Sequence, residues 1–148
     1  MGRRYSINGS VAVGTNETIV AVESATTIRP KLYDVIISSG AAVLDTTTIF
    51  HIERFTVAGT ATAFTPVPLD PGDPVALATG GVAHSAEPTY TANAILLKMS
   101  VNQRATVRWV AAPGSEFVAP ATAANGLGLQ NQSSTGTAVH EATFLYEE

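Results

Sequence analysis

The segment AILLKMSV, residues Ala94–Val101, shows the pattern that decides the fold. Large apolar side chains occupy every second position in it: Ile95, Leu97, Met99 and Val101. Because side chains two residues apart lie on the same face of a β-strand, these four share one face, and Lys98 and Ser100 share the other. Such alternation is typical of a strand with one buried face.

Further segments along the chain have the same β-strand character. They are Thr18–Glu23, Lys31–Ser38, Thr48–Val57, Arg104–Ala111, Ser115–Ala121 and Glu141–Glu147. Turn-forming pairs such as Asn8-Gly9 and Asn125-Gly126 separate them. Short strands at fairly regular spacing favour a sandwich or barrel over alternating helices and strands. We therefore predict an all-β fold, an antiparallel β-sandwich, in a single domain over residues 1–148.

Residues 65–91 interrupt this pattern. The segment carries five of the eight prolines, and proline is confined to the edges of sheets. Asp73 and Pro74 suit the first positions of a short helical turn ending at Ala78, before Gly80-Gly81. We predict one long, ordered, Pro/Gly-rich loop over one end of the sandwich.

The composition excludes several classes of protein. The chain has no cysteine, which rules out disulfides and thiolate metal sites. Its net charge of −4 and its lack of a basic block argue against nucleic acid as a partner. No apolar run approaches the length of a membrane span, so we expect no membrane partner. A charged fraction of only 14% is typical of a surface that another protein covers, or simply of an Ala/Thr-rich β protein.

Candidate chemical groups are few. His51 and Glu53 alternate in one predicted strand and share a face, but a metal site needs a third ligand, so a polar pair is the simpler interpretation. Asp70 and Asp73 resemble a fragment of a calcium loop, although turn and cap roles fit the adjacent prolines better. His84 stands alone in the proline-rich segment.

The last predicted strand places His140 and Glu141 on opposite faces. No nucleophile elbow, phosphate-binding loop or dinucleotide motif is present in the sequence. We therefore expect no enzymatic activity, no cofactor and no metal.

The only tryptophan lies in the predicted strand Arg104–Ala111. Trp109 shares a face with Val107 and Ala111, and Arg108 lies on the other face. We predict that Trp109 anchors this strand in the core. Arg104 and Arg108 then lie on the opposite face, which is either solvated or an interface.

Four stretches together resemble the small capsid decoration, or cement, proteins of tailed bacteriophages. They are LDPGDPVALAT, EPTYTANAILLKMSVNQRATVRWVAAPG, PATAANGLGL and ATFLYEE. The resemblance covers the last two-thirds of the chain well and the first third loosely. It implies a jelly-roll-like sandwich that forms a homotrimer on the outer surface of a capsid and bridges capsomers, with the major capsid protein as partner.

The resemblance also implies roles for the arginines. Arg104 and Arg108 are expected at the protomer interface. Arg3 and Arg4 lie in residues 1–9, which we predict to be an N-terminal arm that contacts the capsid, or else a frayed tail; the further alternative is that Arg4–Ile7 add an edge strand. The nearest alternatives are a phage tail or fibre component and a carbohydrate-binding sandwich. The latter would use exposed aromatic side chains such as Trp109, Tyr33 and Tyr90.

Overall fold

The computed structural model describes residues 2–12, 14, 16–132 and 138–148, and these form two antiparallel β-sheets. The strands are β1 (Arg4–Ala12), β2 (Glu17–Glu23), β3 (Lys31–Ser39), β4 (Thr47–Val57), β5 (Thr60–Phe64), β6 (Val67–Pro68), β7 (Thr79–Ala86), β8 (Thr89–Asn102), β9 (Val107–Val110), β10 (Phe117–Val118), β11 (Gly126–Asn131) and β12 (Val139–Glu147). No helix occurs among the described residues, and hence none that could cross a membrane.

The two sheets differ in how their strands are ordered. The first sheet has the order β10-β3-β12-β1-β6, with β9 also pairing with β3. The second has the order β5-β7-β2-β11-β4-β8. The prediction of an all-β antiparallel sandwich is confirmed, and the jelly-roll connectivity stays a prediction.

The core lies between the sheets, and several strands fill it with alternate residues, whereas the inner strands β2 and β11 are buried along nearly their whole length. In β12, for example, Ala142, Phe144 and Tyr146 are buried while Glu141 points outward. The largest apolar side chains of the core come from both sheets: Tyr5, Ile7, Ile19, Leu32, Phe50, Ile52, Phe55, Leu127, Leu129, Phe144 and Tyr146. Full burial of such a side chain contributes about 1.5–3 kcal/mol, which is why a strand with alternating apolar residues packs that face inward.

The prediction of one long loop over residues 65–91 is wrong. The segment contains β6, β7 and the start of β8, so that only residues 69–78 form a loop. We took the prolines as signals of a loop. They lie in the two-residue strand β6 and between strands, where a proline costs the sheet no backbone hydrogen bond. Gly80 lies inside β7 and not in a turn. A glycine is needed at this position because a Cβ there would press on Ile7 and Phe64.

The helical turn expected at 74–78 is also absent. Instead, the amide of Asp73 donates to the carbonyl of Asp70 at 3.0 Å, and the amide of Gly72 donates to the Asp70 carboxylate at 2.8 Å. Asp70 therefore stabilises a tight turn, as the simpler interpretation of this acidic pair requires.

Residues 4–9 do not form the arm that was predicted for residues 1–9. They belong to β1, which pairs along its whole length with β12. Arg3 continues this pairing, because its amide donates to the carbonyl of Glu148 at 3.1 Å and its carbonyl accepts from the amide of Glu148 at 2.9 Å. The cause is burial of Tyr5 and Ile7, which have no exposed surface and fix this segment in the sheet.

Candidate interaction surface

A cluster of exposed apolar side chains lies on the segment from β6 to the start of β7. Eight large apolar side chains of the described residues are exposed, and four of them fall within residues 67–77. These four are Val67 (51% exposed), Leu69 (49%), Val75 (69%) and Leu77 (58%), and we call them the apolar ridge. Scattered exposed apolar residues are ordinary, but four on one short segment make it a candidate interaction site.

The ridge is held to the first sheet by specific hydrogen bonds. The hydroxyl of Tyr5 donates to the carbonyl of Pro74 at 3.1 Å, and the amide of Leu69 donates to the carbonyl of Arg4 at 2.8 Å. The carboxylate of Glu148 accepts from the amides of Leu77 at 3.1 Å and Ala78 at 2.8 Å. These bonds, together with the prolines that restrict its φ angles, fix the backbone of the ridge segment. The exposed side chains are therefore already presented before any partner binds.

Arg3 and Arg4, the predicted capsid contacts, border the ridge. Their side chains are 58% and 54% exposed. The guanidinium of Arg3 lies 3.8 Å from the carboxylate of Asp73 in the ridge loop. The guanidinium of Arg4 lies 3.8 Å from Glu147 and 5.5 Å from the ring centre of Tyr33. Since exposed ion pairs are weak, both cations remain available to a partner.

Arg108 is engaged within its own chain. Its guanidinium binds the Asp34 carboxylate through two nitrogens, with Nε–Oδ1 at 3.0 Å and Nη2–Oδ2 at 2.5 Å. The Asp34 side chain is only 3% exposed, so this cation compensates a nearly buried charge. The bond also raises the pKa of Arg108. A contact of Arg108 across protomers stays a prediction, and it would involve the part of the side chain that Asp34 leaves free.

Arg104 does not share the strand face of Arg108. It lies in the turn between β8 and β9, where its amide donates to the Asn102 side chain at 2.9 Å. The structure therefore separates the two arginines that the sequence placed together. Asp34, the partner of Arg108, was missed because the two residues lie in distant segments, although both were on polar strand faces.

Trp109 packs against the core at its margin. It lies opposite Val35 in β3 and stacks on Phe117, with ring centres 4.4 Å apart and planes inclined by 9°. The indole is half-buried and contacts the core cluster. It therefore closes one edge of the sandwich, on the opposite face of β9 from Arg108.

His51 and Glu53 form the polar pair that the alternation predicted. Their side chains share the outer face of β4, with His51 Nδ1 2.9 Å from Glu53 Oε1, and both residues are 8% exposed. Among the residues that the structure describes, no group of three His, Asp or Glu side chains could hold a metal ion. The pair is an internal hydrogen bond that fixes both side chains.

A second polar cluster covers the outer face of the second sheet. The hydroxyl of Thr18 donates to the carboxylate of Glu87 at 2.5 Å and lies 2.7 Å from the hydroxyl of Tyr90, which must donate in return. Burial raises the pKa of Tyr90 well above its ordinary value. Gly128 makes room for the phenol, because a Cβ there would overlap its hydroxyl.

His140 is a buried structural residue. Its Nδ1 lies 2.8 Å from the hydroxyl of Ser39, its Nε2 lies 3.4 Å from that of Thr48, and its ring meets Phe50 edge-on. Burial lowers the pKa of His140. His140 has no exposed surface, and its ring links Ser39 of β3 to Thr48 of β4.

The three aromatic side chains considered for carbohydrate are all occupied within the chain. Tyr90 is bonded to Thr18, Trp109 is stacked on Phe117, and Tyr33 lies beneath Arg4. Sugar stacking needs an open aromatic face. The apolar ridge is thus the surface best suited to contact another molecule.

No protein-family model, curated protein or solved structure matches the chain. The ridge was also missed by sequence reasoning, which treated residues 65–91 as one proline-rich loop. The signal that could have revealed it is the spacing of Val67, Leu69, Val75 and Leu77 on both sides of the Asp70 turn.

Proposed function

We propose that this chain is a structural virion protein: a decoration, or cement, protein that binds the outside of a bacteriophage capsid and bridges its capsomers. The observation that supports the proposal most is the anchored apolar ridge bordered by Arg3 and Arg4. A rigid apolar surface with cations at its rim suits a protein partner, because apolar area stabilises the complex and charges orient it. The partner is the major capsid protein.

The resemblance adds a homotrimer to this proposal. A trimer presents three ridges related by one axis, and a shell presents matching sites wherever its own threefold symmetry occurs. Once one protomer is bound, the other two meet their sites at high effective concentration. Weak individual contacts then become a stable clamp between capsomers, and the protein needs no chemistry to perform it.

The test is attachment to particles of the parent phage from which this protein has been stripped. Val75→Ser and Leu77→Ser are combined in one variant, and Leu44→Ser is the control, because Leu44 is an exposed apolar residue (41%) outside the ridge. We expect the ridge variant to bind roughly tenfold or more weakly, since tenfold corresponds to about 1.4 kcal/mol and the variant truncates two side chains placed at the centre of the proposed contact. The control should bind like the unaltered chain.

Heating the reconstituted particles gives a second readout. Particles with the unaltered chain or the Leu44 variant should retain their DNA to a higher temperature than particles with the ridge variant. Normal attachment of the ridge variant, with normal particle stability, would remove the ridge from the proposal. Labelled protein found on the tail instead of the head would replace decoration with the tail or fibre alternative.

A further inference from the structure

The outermost strand of the second sheet, β8, has one unpaired edge. It spans Thr89–Asn102, is 14 residues long, and pairs with β4 alone among the residues that the structure describes. An exposed edge of this length is a template for another strand unless prolines, bulges or several charges block it. From residue 97 onward its pairing with β4 is regular, and Lys98 is its only charge.

The backbone groups on this edge can be identified from the register. Opposed residues in an antiparallel pair alternate between those that exchange backbone bonds and those that exchange none. The amide of Gln103 donates to the carbonyl of Thr46 at 2.9 Å, which sets the phase. Thr46 and Gln103 are therefore a hydrogen-bonded pair, and so are the pairs that Val101, Met99 and Leu97 form with β4, because they follow at steps of two residues. Hence Lys98 and Ser100 direct their N–H and C=O groups away from β4.

The bond on the other side of β4 supports this phase. The amide of Gln132, following β11, donates to the carbonyl of Ile49 at 2.8 Å, so Ile49 bonds toward β11 and its neighbours in β4 bond toward β8. Ile49 lies opposite Ser100, whose backbone groups are therefore left for the free edge.

The side chains of the edge are also incompletely covered. Leu97, Met99 and Val101 face the core side and are half-buried at the open margin of the sandwich. Lys98 and Ser100 are exposed on the outer side. An incoming strand would satisfy the free backbone groups and cover this apolar stripe at the same time.

We propose that the β8 edge pairs with β8 of a second copy of this chain, antiparallel, about a twofold axis at Met99. This register places Met99 opposite Met99, Leu97 opposite Val101, and Lys98 opposite Ser100 of the second copy. Lys98 and Ser100 then exchange their free backbone bonds across the axis. Apolar residues face apolar ones, and neither lysine faces the other.

Neighbouring registers fit less well. An axis at Lys98 opposes two like charges, which is unfavourable. An axis at Ser100 brings Asn102 into the ladder, and the carbonyl of Asn102 already accepts from Ala105 at 2.9 Å. The inference goes beyond the proposed function and does not rest on it, because a twofold contact leaves the ridge free.

The absence of cysteine from the chain makes a direct test simple. Residues opposed without backbone bonds have Cα atoms about 4.5 Å apart, within the range of about 4.4–6.8 Å that a disulfide spans. Met99→Cys should therefore form a covalent dimer under mild oxidation, read on a denaturing gel. Ile95→Cys is the control: its side chain is 46% exposed, but the axis places the two copies of it far apart.

Charge variants then test the register in the Met99→Cys background. Ser100→Lys opposes Lys98 of the second copy and should slow disulfide formation roughly tenfold, because like charges directly opposite each other repel. Adding Lys98→Glu converts the like-charge pair into an opposite-charge pair and should return the rate to at least that of Met99→Cys alone. Circular dichroism of each variant checks that the sandwich is retained.

A Met99→Cys chain that stays monomeric under oxidation while its thiol reacts with a small reagent overturns the proposal. So does a rate that ignores both charge changes, or equal dimer formation by Ile95→Cys. These results are independent of particle attachment, so the twofold contact and the decoration function can fail separately.

Discussion

Gly128 provides the sharpest test of how the outer face of the second sheet is built. It lies in β11 opposite Glu53, and a Cβ at this position would overlap the Tyr90 hydroxyl and lie 3.0 Å from its Cζ. We expect Gly128→Ala to displace the phenol and break its bond to Thr18. Overpacking costs about 1–3 kcal/mol, and a lost hydrogen bond costs about 1 kcal/mol more.

The expected loss of unfolding free energy for Gly128→Ala is therefore about 2–4 kcal/mol. At about 2–4 °C per kcal/mol for a chain of this size, the melting temperature should fall by about 5–15 °C. Urea unfolding followed by tryptophan fluorescence and circular dichroism measures the free energy. Gly40→Ala is the control, because its nearest neighbour would lie at an ordinary 3.5 Å and the residue is exposed.

A double-mutant cycle with Tyr90→Phe identifies the cause. Removing the hydroxyl costs about 1 kcal/mol by itself, through the bond to Thr18. It also removes the atom that overlaps the new methyl group, so the double variant should be more stable than the sum of the single changes allows. Additive effects would show that Gly128 and Tyr90 do not meet as described, and that the reasoning about this face is wrong.

Two further predictions concern protonation and the ridge. Burial lowers the pKa of both His84 and His140. Because the unfolded chain then binds more protons than the folded one, the free energy of unfolding should fall as the pH drops below about 6.5, the ordinary pKa of histidine. Urea midpoints measured from pH 7.5 to 5 should fall less for His140→Gln than for the unaltered chain. Glu148→Gln weakens the two charge-assisted bonds to Leu77 and Ala78, so hydrogen exchange of these two amides should accelerate while exchange in β11 stays constant.

The strands with clear alternation were predictable because the order of apolar and polar residues within each segment is enough to predict which side chains are buried. In β12 and in the second half of β8, the alternate apolar residues contact the core, as the local pattern predicts; Ile95 is the exception, because it is 46% exposed where the register of β8 with β4 shifts. The bounds of β4 were predicted to within one residue for the same reason. Residues 65–91 failed because prolines were taken as loop signals, although a proline costs nothing in a short edge strand such as β6.

The candidate surface was less predictable because it depends on contacts between distant segments. Arg3 and Arg4 were identified from their charge, but only the fold brings Arg3 to Asp73 in the ridge loop and the Arg4 carbonyl to the amide of Leu69. The bond between Arg108 and Asp34 likewise joins two strands that no local pattern connects. The periodicity of a strand's sequence predicts which face of the sheet a side chain lies on. The order of the strands in the sheets determines which other side chains it contacts.

The pairing of β1 with β12 has a consequence for how the chain folds as it is made. Tyr5 and Ile7 lie in the first strand, but their neighbours Phe144 and Tyr146 are synthesised more than a hundred residues later. The first sheet therefore cannot close until β12 has been synthesised, so Tyr5 and Ile7 lack these neighbours while the intervening strands are made. Closure of the sheet should then be slow, at the millisecond-to-second rates of proteins dominated by distant strand pairs.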